Sequence, residues 1–267
     1  TCPFFILPDY LSEPIIVLKN RSNDYKSLSN VCTHRGNLIF DKPSNSNNLI
    51  CNYHGRKFDN DGNPLHWPGC TIICPIQQSS LVSSLLSEVQ ENFKEIAPKK
   101  KYTFLPQSSF HMTLFDCCNV STFKTSFWPK NIQETENYLE VANILSDRLK
   151  NYQFPNPLTV KLNKFFGGFS TLLTPYSSKD EETLRSCRDD LSNLLGIKFE
   201  NHLRYTFHIT LAYLLEPLTL EEVSRLIDLE KKMNKKFKNE IPLIYLSQPE
   251  ICVFNDMYKF ININNLS

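Results

Sequence analysis

With 267 residues, 41% of them hydrophobic and 21% charged, the chain has a normal globular composition and room for one large or two ordinary domains. Twenty-nine Lys and Arg against 28 Asp and Glu leave a formal charge of +1, which argues against a long polyanion groove but leaves a small phosphate ligand open. Nine cysteines form no regular framework, which favours a reducing compartment over a disulfide scaffold, and no apolar run approaches the roughly 20 residues of a membrane span. A cytoplasmic protein is expected, although the chain opens at Thr1 rather than Met, which leaves room for a targeting segment ahead of it.

Ile15-Ile16-Val17-Leu18 is a short β-branched run, closed by a polar turn over 20–24, and Tyr25-Lys26-Ser27-Leu28 resumes after it; this predicts a hairpin. Cys32 and His34 then stand at C-x-H spacing. A loop rich in Asn, Ser, Lys and Pro breaks the pattern over 41–48, and Leu49-Ile50 leads straight into Cys51, with His54 at C-x-x-H spacing. Sixteen residues separate His34 from Cys51, and Asp59-Asn60-Asp61-Gly62 reads as a turn. Two thiols and two imidazoles from two loops form a metal-ligand set. Structural zinc usually draws a Cys pair or a His pair from one element, whereas each loop here offers one Cys and one His. That division suits a [2Fe–2S] centre in which two Cys hold one iron and two His the other.

On these residues, Asn30-Val31-Cys32-Thr33-His34-Arg35-Gly36 and Cys51-Asn52-Tyr53-His54-Gly55 resemble the Rieske signature, and most of all that of ring-hydroxylating oxygenases. The resemblance implies a small all-β Rieske-type domain over residues 1–63. Its [2Fe-2S] cluster would be held by Cys32, His34, Cys51 and His54, with Gly36 and Gly55 letting backbone N–H groups approach the sulfides. It also implies a ferredoxin or flavin reductase as electron donor. Asn37 and Tyr53 stand where respiratory Rieske proteins carry a disulfide pair, which implies a potential at the lower end of the Rieske range. The module is short for the family, without its usual first strands, and would lean on the cluster for stability.

Residues 64–267 mix strands and helices. Cys70 to Cys74 predicts a buried strand stopped by Pro75. Leu81, Leu85, Val89 and Phe93 recur every four residues behind Ser79 and Ser80, predicting a helix that Pro98 ends. Over 110–115 the pattern alternates, with Ser109, His111 and Thr113 on one face and Phe110, Met112 and Leu114 on the other. Further helices are expected over 134–149, 179–195 with Gly196 as C-cap, and 218–237; further strands over 158–165, 170–174, 206–211, 241–246 and 251–254. In the strand over 206–211, Thr206, His208 and Thr210 alternate with Phe207, Ile209 and Leu211, as in the earlier one. The order predicts an α+β bilobal domain of two similar halves, each built around one His-x-Thr strand.

One His-x-Thr tripeptide carries almost no information, and a His on an apolar strand is usually a core residue. Two copies, each preceded by Phe and followed by an apolar position after the Thr, place a polar pair opposite an apolar face. One neutral His can take a proton from an attacking hydroxyl or water, one protonated His can give a proton to the leaving oxygen, and two Thr hydroxyls can hold phosphoryl oxygens. With Leu105-Pro106-Gln107-Ser108-Ser109-Phe110-His111-Met112-Thr113, Trp128-Pro129 and Thr206-Phe207-His208-Ile209-Thr210-Leu211-Ala212-Tyr213, this half resembles the two-histidine phosphoesterases. These are the superfamily of 2′,3′-cyclic phosphodiesterases and 2′-5′ RNA ligases, and the likeness is greatest to a branch of uncharacterised function. It implies His111, Thr113, His208 and Thr210 as catalytic residues, no metal in that step, and a nucleotide or short RNA as substrate.

Weaker candidates are Trp67, Trp128 and Tyr205 for base stacking, Lys99-Lys100-Lys101 for steering a phosphate, and the thiols Cys117 and Cys118. An oxygenase iron would need two His and a carboxylate. His202 and His208 are the one close His pair in this half, but Phe199 stands three residues before His202, and His208 already belongs to a His-x-Thr pair. Three readings follow: a cyclic or 2′-5′ phosphodiester hydrolase with a Rieske electron-transfer module, a Rieske-type redox protein whose second domain only binds, and a joint of fragments from two genes.

Overall fold

A computed structural model describes residues 1–6, 13–19, 23–32, 38–45, 49–51, 57–58, 66–97, 101–168, 170–214 and 218–266. Three antiparallel strands, β1 (Cys2–Ile6), β2 (Glu13–Lys19) and β3 (Tyr25–Ser29), open the chain in that spatial order. The expected hairpin is β2–β3, in register from Ile15↔Ser29 to Lys19↔Tyr25, with Asn23 at positive φ before β3. β1 is an addition that its sequence does not announce. Ile16 and Leu18 alternate inward and meet Ile39, Phe40, Leu49, Cys32 and Cys51 in a small apolar cluster. A second hairpin pairs β4 (Leu49–Ile50) with β5 (Lys57–Phe58). The turn expected over 59–62 lies outside the described residues.

The second domain is built on β6 (Gly69–Pro75), α1 (Leu81–Ile96), β7 (Tyr102–Phe104), β8 (His111–Asn119), α2 (Tyr138–Leu149), β9 (Thr159–Phe166) and β10 (Ser170–Pro175). After these come α3 (Ser178–Leu195), β11 (His208–Thr210), β12 (Ala212–Leu214), α4 (Leu220–Glu240), β13 (Ile244–Tyr245), β14 (Glu250–Phe254) and β15 (Ile261–Asn262). Eight of the strands make one antiparallel sheet in the order β13-β9-β10-β11-β8-β6-β14-β15. Four lie on each side of the β11–β8 seam, which accounts for the two lobes. The small all-β region and the α+β bilobal domain are therefore both present as read from the sequence.

Local chemistry explains the helix boundaries. α1 starts because the Ser80 hydroxyl accepts from the Ser83 N–H at 3.1 Å; its buried stripe is Leu85, Leu86, Val89 and Phe93, whereas Leu81 is exposed. α2 begins at Tyr138 rather than 134, since Asn137 caps it by accepting from the Glu140 N–H. α3 opens with a capping box between Ser177 and Asp180 and closes on Gly196, whose φ of 68° suits a residue without Cβ.

Three expected strands come out differently. The one over 206–211 shortens to β11, because at Leu211 the carbonyl turns away to the Leu105 N–H at 3.0 Å and the chain continues as β12 beside β7. The strand over 241–246 narrows to β13. Ser109, expected on the face of His111, is buried in a 3₁₀ turn over Gln107–Ser109, where its hydroxyl donates to the Pro106 carbonyl. The break at Leu211 is held by Gln90, a buried amide that donates to the carbonyls of both Leu105 and Leu211 at 2.8 Å. Among the described residues no helix is long and apolar enough to cross a membrane.

Candidate active site

The two His-x-Thr segments are neighbours. β8 and β11 pair antiparallel with Ile209 across from Met112, and one step along the ladder in each direction sets His208 across from Thr113 and Thr210 across from His111. Each His therefore faces the Thr of the other motif. The two His are diagonal partners, as are the two Thr, and such diagonals are about 7–8 Å apart, which leaves room for a phosphoryl group between the rings. Met112 and Ile209 are fully buried on the opposite face, while all four polar residues are half-buried.

Both imidazoles are aimed by the backbone. His111 Nδ1 lies 2.7 Å from the Ser109 carbonyl oxygen, and His208 Nδ1 lies 2.9 Å from that of Thr206. A carbonyl can only accept, so Nδ1 carries the proton in both rings, and in the neutral form the lone pair is on Nε2. Phe110 and Phe207, each 1% exposed, pin the residue between carbonyl and ring. Sequence reasoning missed these carbonyls, although the repeat of hydroxyl residue, Phe, His, apolar residue and Thr carries their signal.

The surroundings of the two rings differ. Phe260 packs its ring on His111 with centroids 4.2 Å apart, and burial pushes the imidazole down to about 4, against the opposing effect of its Ser109 hydrogen bond. The segment before His208 is held by α3 instead. The Arg188 guanidinium lies over the Tyr205 ring at 3.9 Å, and Arg185 donates to the Tyr205 carbonyl at 2.9 Å. Phe260 is a residue that no sequence pattern pointed to.

The other candidates disperse. Trp67 and Trp128 are buried, and Trp128 Nε1 donates to the Ile132 carbonyl, so neither can stack a base. Tyr205 is buried beneath Arg188. Lys101 is paired with Glu222 at 2.9 Å, while Lys99 and Lys100 lie outside the described residues. His202 bonds Asp189 at 2.7 Å, away from His208. Cys117 and Cys118 are buried, and the Cys118 sulfur touches that of Cys70 at 3.3 Å.

In the first region Cys32 and Cys51 are both 1% exposed and share one apolar cluster. Antiparallel pairing flanks each, Val31 with Leu38 around the first and Leu49-Ile50 with Phe58-Lys57 around the second. The buried Asn30 side chain secures the first pairing, accepting from the Phe40 N–H at 2.9 Å and donating to the Phe40 carbonyl at 2.7 Å. The thiol half of the ligand set thus fits a cluster. His34, His54, Gly36, Gly55, Asn37 and Tyr53 lie outside the described residues.

Comparison with known domains finds a family match on each region. A Rieske [2Fe-2S] domain model matches residues 8–78, and the model described as 2H-phosphodiest, a domain of unknown function (DUF1868), matches residues 57–167. The chain joins a Rieske domain to a 2H-phosphodiesterase-like domain. The two matches share residues 57–78, which hold β5 of the Rieske region and β6 of the eight-stranded sheet. The first His-x-Thr motif of the phosphodiesterase-like domain lies inside its match and the second beyond it. Among solved structures, a conserved protein of unknown function from Agrobacterium tumefaciens shares the fold, with a TM-score of 0.71 at 23% identity over 77% of this chain and 88% of that one. A structure described as a phosphoesterase aligns with a TM-score of 0.42 at 12% identity, over 73% of this chain and 94% of that one. A Thermus thermophilus protein aligns at 0.36 and 14%, over 71% of this chain and 87% of that one. No curated protein matches the sequence.

Proposed function

We propose that the phosphodiesterase-like domain hydrolyses a cyclic or 2′-5′ phosphodiester of a nucleotide or short RNA by acid–base catalysis between His111 and His208. The supporting observation is the diagonal pairing of two His-x-Thr segments whose Nδ1 atoms are both held by carbonyls. His111, depressed to about 4, is neutral at neutral pH and is the base. Its Nε2 accepts the proton of the attacking water as the water oxygen bonds to phosphorus. His208, protonated, gives its Nε2 proton to the leaving oxygen as the other P–O bond breaks. Thr113 and Thr210 donate to the non-bridging oxygens, where charge develops. The product leaves His111 protonated and His208 neutral, and exchange with water resets the pair.

In the Rieske region, Cys32 and Cys51 would hold one iron of a [2Fe-2S] cluster and His34 and His54 the other. A cluster bound there supplies one-electron transfer. The buried thiol pair in a cluster closed by Asn30 supports this reading.

The test assays 2′,3′-cyclic nucleotide hydrolysis in His111→Ala and His208→Ala. Each should lose about 10²–10⁴-fold in kcat while iron content and visible absorption stay unchanged. Undiminished hydrolysis in both variants removes the catalytic assignment.

A further inference from the structure

Both motif strands are interrupted at the residue after the Thr. In β8 the register against β6 steps from Ile73↔Thr113 to Ile72↔Phe115 and passes over Leu114, a bulge directly behind Thr113. The Leu114 carbonyl accepts instead from Arg188 Nη1 of α3. Behind Thr210, the Leu211 carbonyl likewise accepts from a buried side chain, Gln90 of α1. Each Thr is thus followed by a carbonyl that a helix side chain secures.

Arg188 also reaches the second motif. Its guanidinium lies over the Tyr205 ring, 3.9 Å from the centroid, and that ring stands 6.3 Å from the His208 ring. Tyr205 precedes Thr206, whose carbonyl holds His208 Nδ1. Arg185, one turn earlier on the same face of α3, donates to the Tyr205 carbonyl. Arg188 therefore touches β8 behind Thr113 and the lead-in to β11 ahead of His208.

Core packing does not account for an arginine at this place. Arg188 is 3% exposed, lies between Leu184 and Leu191 along the helix, and has no hydrogen-bond partner at Nε among the described residues. Burial draws its pKa down, yet a guanidinium stays charged across the neutral range. A methionine or leucine would fill the space without the cost of burying a cation. What the guanidinium adds is its hold on the Leu114 carbonyl and on the Tyr205 ring.

We infer that Arg188 is a positioning residue for the reaction, fixing Thr113 through the Leu114 carbonyl and the His208 ring through the Tyr205–Thr206 segment. This rests on the acid–base reading of the two motifs.

Arg188→Met and Arg188→Lys in the full chain test it, each assayed well below its unfolding midpoint. For 2′,3′-cyclic nucleotide hydrolysis, kcat should fall about a hundredfold in the Met variant, with KM changed less than about twofold. The Lys variant should lose only about tenfold, since an ammonium still reaches the Leu114 carbonyl but cannot lie flat on Tyr205. Nitrogen-15 NMR of the imidazoles at alkaline pH, where both rings are neutral, gives a readout that a merely structural role would not move. His208 should change from the Nδ1-protonated form alone to a mixture of both tautomers, with His111 unchanged. A kcat within about twofold of the unaltered protein in both variants, or a lowered kcat with His208 still wholly Nδ1-protonated, overturns the inference. The NMR readout needs no turnover, so the two readings separate. A His208 tautomer that depends on Arg188 in a protein without hydrolysis supports the positioning role and removes the reaction; His111-dependent hydrolysis with an Arg188-independent His208 removes the positioning role alone.

Discussion

The apolar cluster of the Rieske region is Ile16, Leu18, Ile39, Phe40 and Leu49 with the two thiols Cys32 and Cys51, whereas the phosphodiesterase-like domain buries a core running from Cys70 through Ile263. In the first, Cys32 and Cys51 are part of the small core, so on the cluster reading binding the metal and holding the fold together would be one task. In the second, the imidazoles of His111 and His208 stand outside the core, on strands whose other face fills it, and carbonyls aim them. The proposed acid–base site would thus be assembled before its substrate arrives, while the proposed cluster site would draw on its cofactor for order.

The largest expected contrast comes from iron removal. After anaerobic reduction and chelation, amides of β2 and β3 should exchange at least about tenfold faster in hydrogen–deuterium exchange, while those of β8 and β11 keep their protection. Equal loss in both regions would mean that the two modules fold as one unit.

Phe260→Ala sharpens the comparison inside the second domain. Without the ring on it, His111 should rise from about 4 toward its ordinary value, so at pH 5 it becomes largely protonated and kcat/KM falls roughly tenfold, with little change at pH 8. Burial drives this depression, against the opposing Ser109 hydrogen bond. NMR titration of the His111 ring protons checks the shift directly. The sign also governs stability: the unfolded chain protonates His111 below about 6.5 and the native chain only near 4, so its contribution is fully present above that window and declines as pH falls through it. A kcat/KM ratio that is flat with pH would show that Phe260 only packs.

Gln90→Leu should act first on stability. It strips the carbonyls of Leu105 and Leu211 of a buried donor, which should cost about 2–4 kcal/mol in denaturant unfolding. Because Leu211 follows Thr210, kcat should drop as well. Lys101→Ala stands last, at about 1 kcal/mol or less and without effect on KM, since its ammonium is occupied by Glu222 rather than by substrate. A raised KM would return Lys101 to the steering role that its sequence suggests.

Much of this molecule could be read along the chain because the signals are local. Alternation put Met112 and Ile209 on one side and His111, Thr113, His208 and Thr210 on the other, since side chains of a strand alternate whatever its neighbours. Ser80, Ser177 and Gly196 mark helix ends by chemistry confined to a few residues. The spacing of Cys32, His34, Cys51 and His54 divides the expected ligands between two segments before any fold is known. Periodicity says which way a side chain points, and nothing about what stands beside it. That β8 lies against β11, so that each His faces the other motif's Thr, joins residues nearly a hundred positions apart; that Phe260 covers His111 and not His208 joins residues still farther apart. Those decisions belong to the tertiary structure because they arise from how two lobes close a single sheet, and with them goes the difference in surroundings between the two histidines on which the proposed roles of base and acid rest.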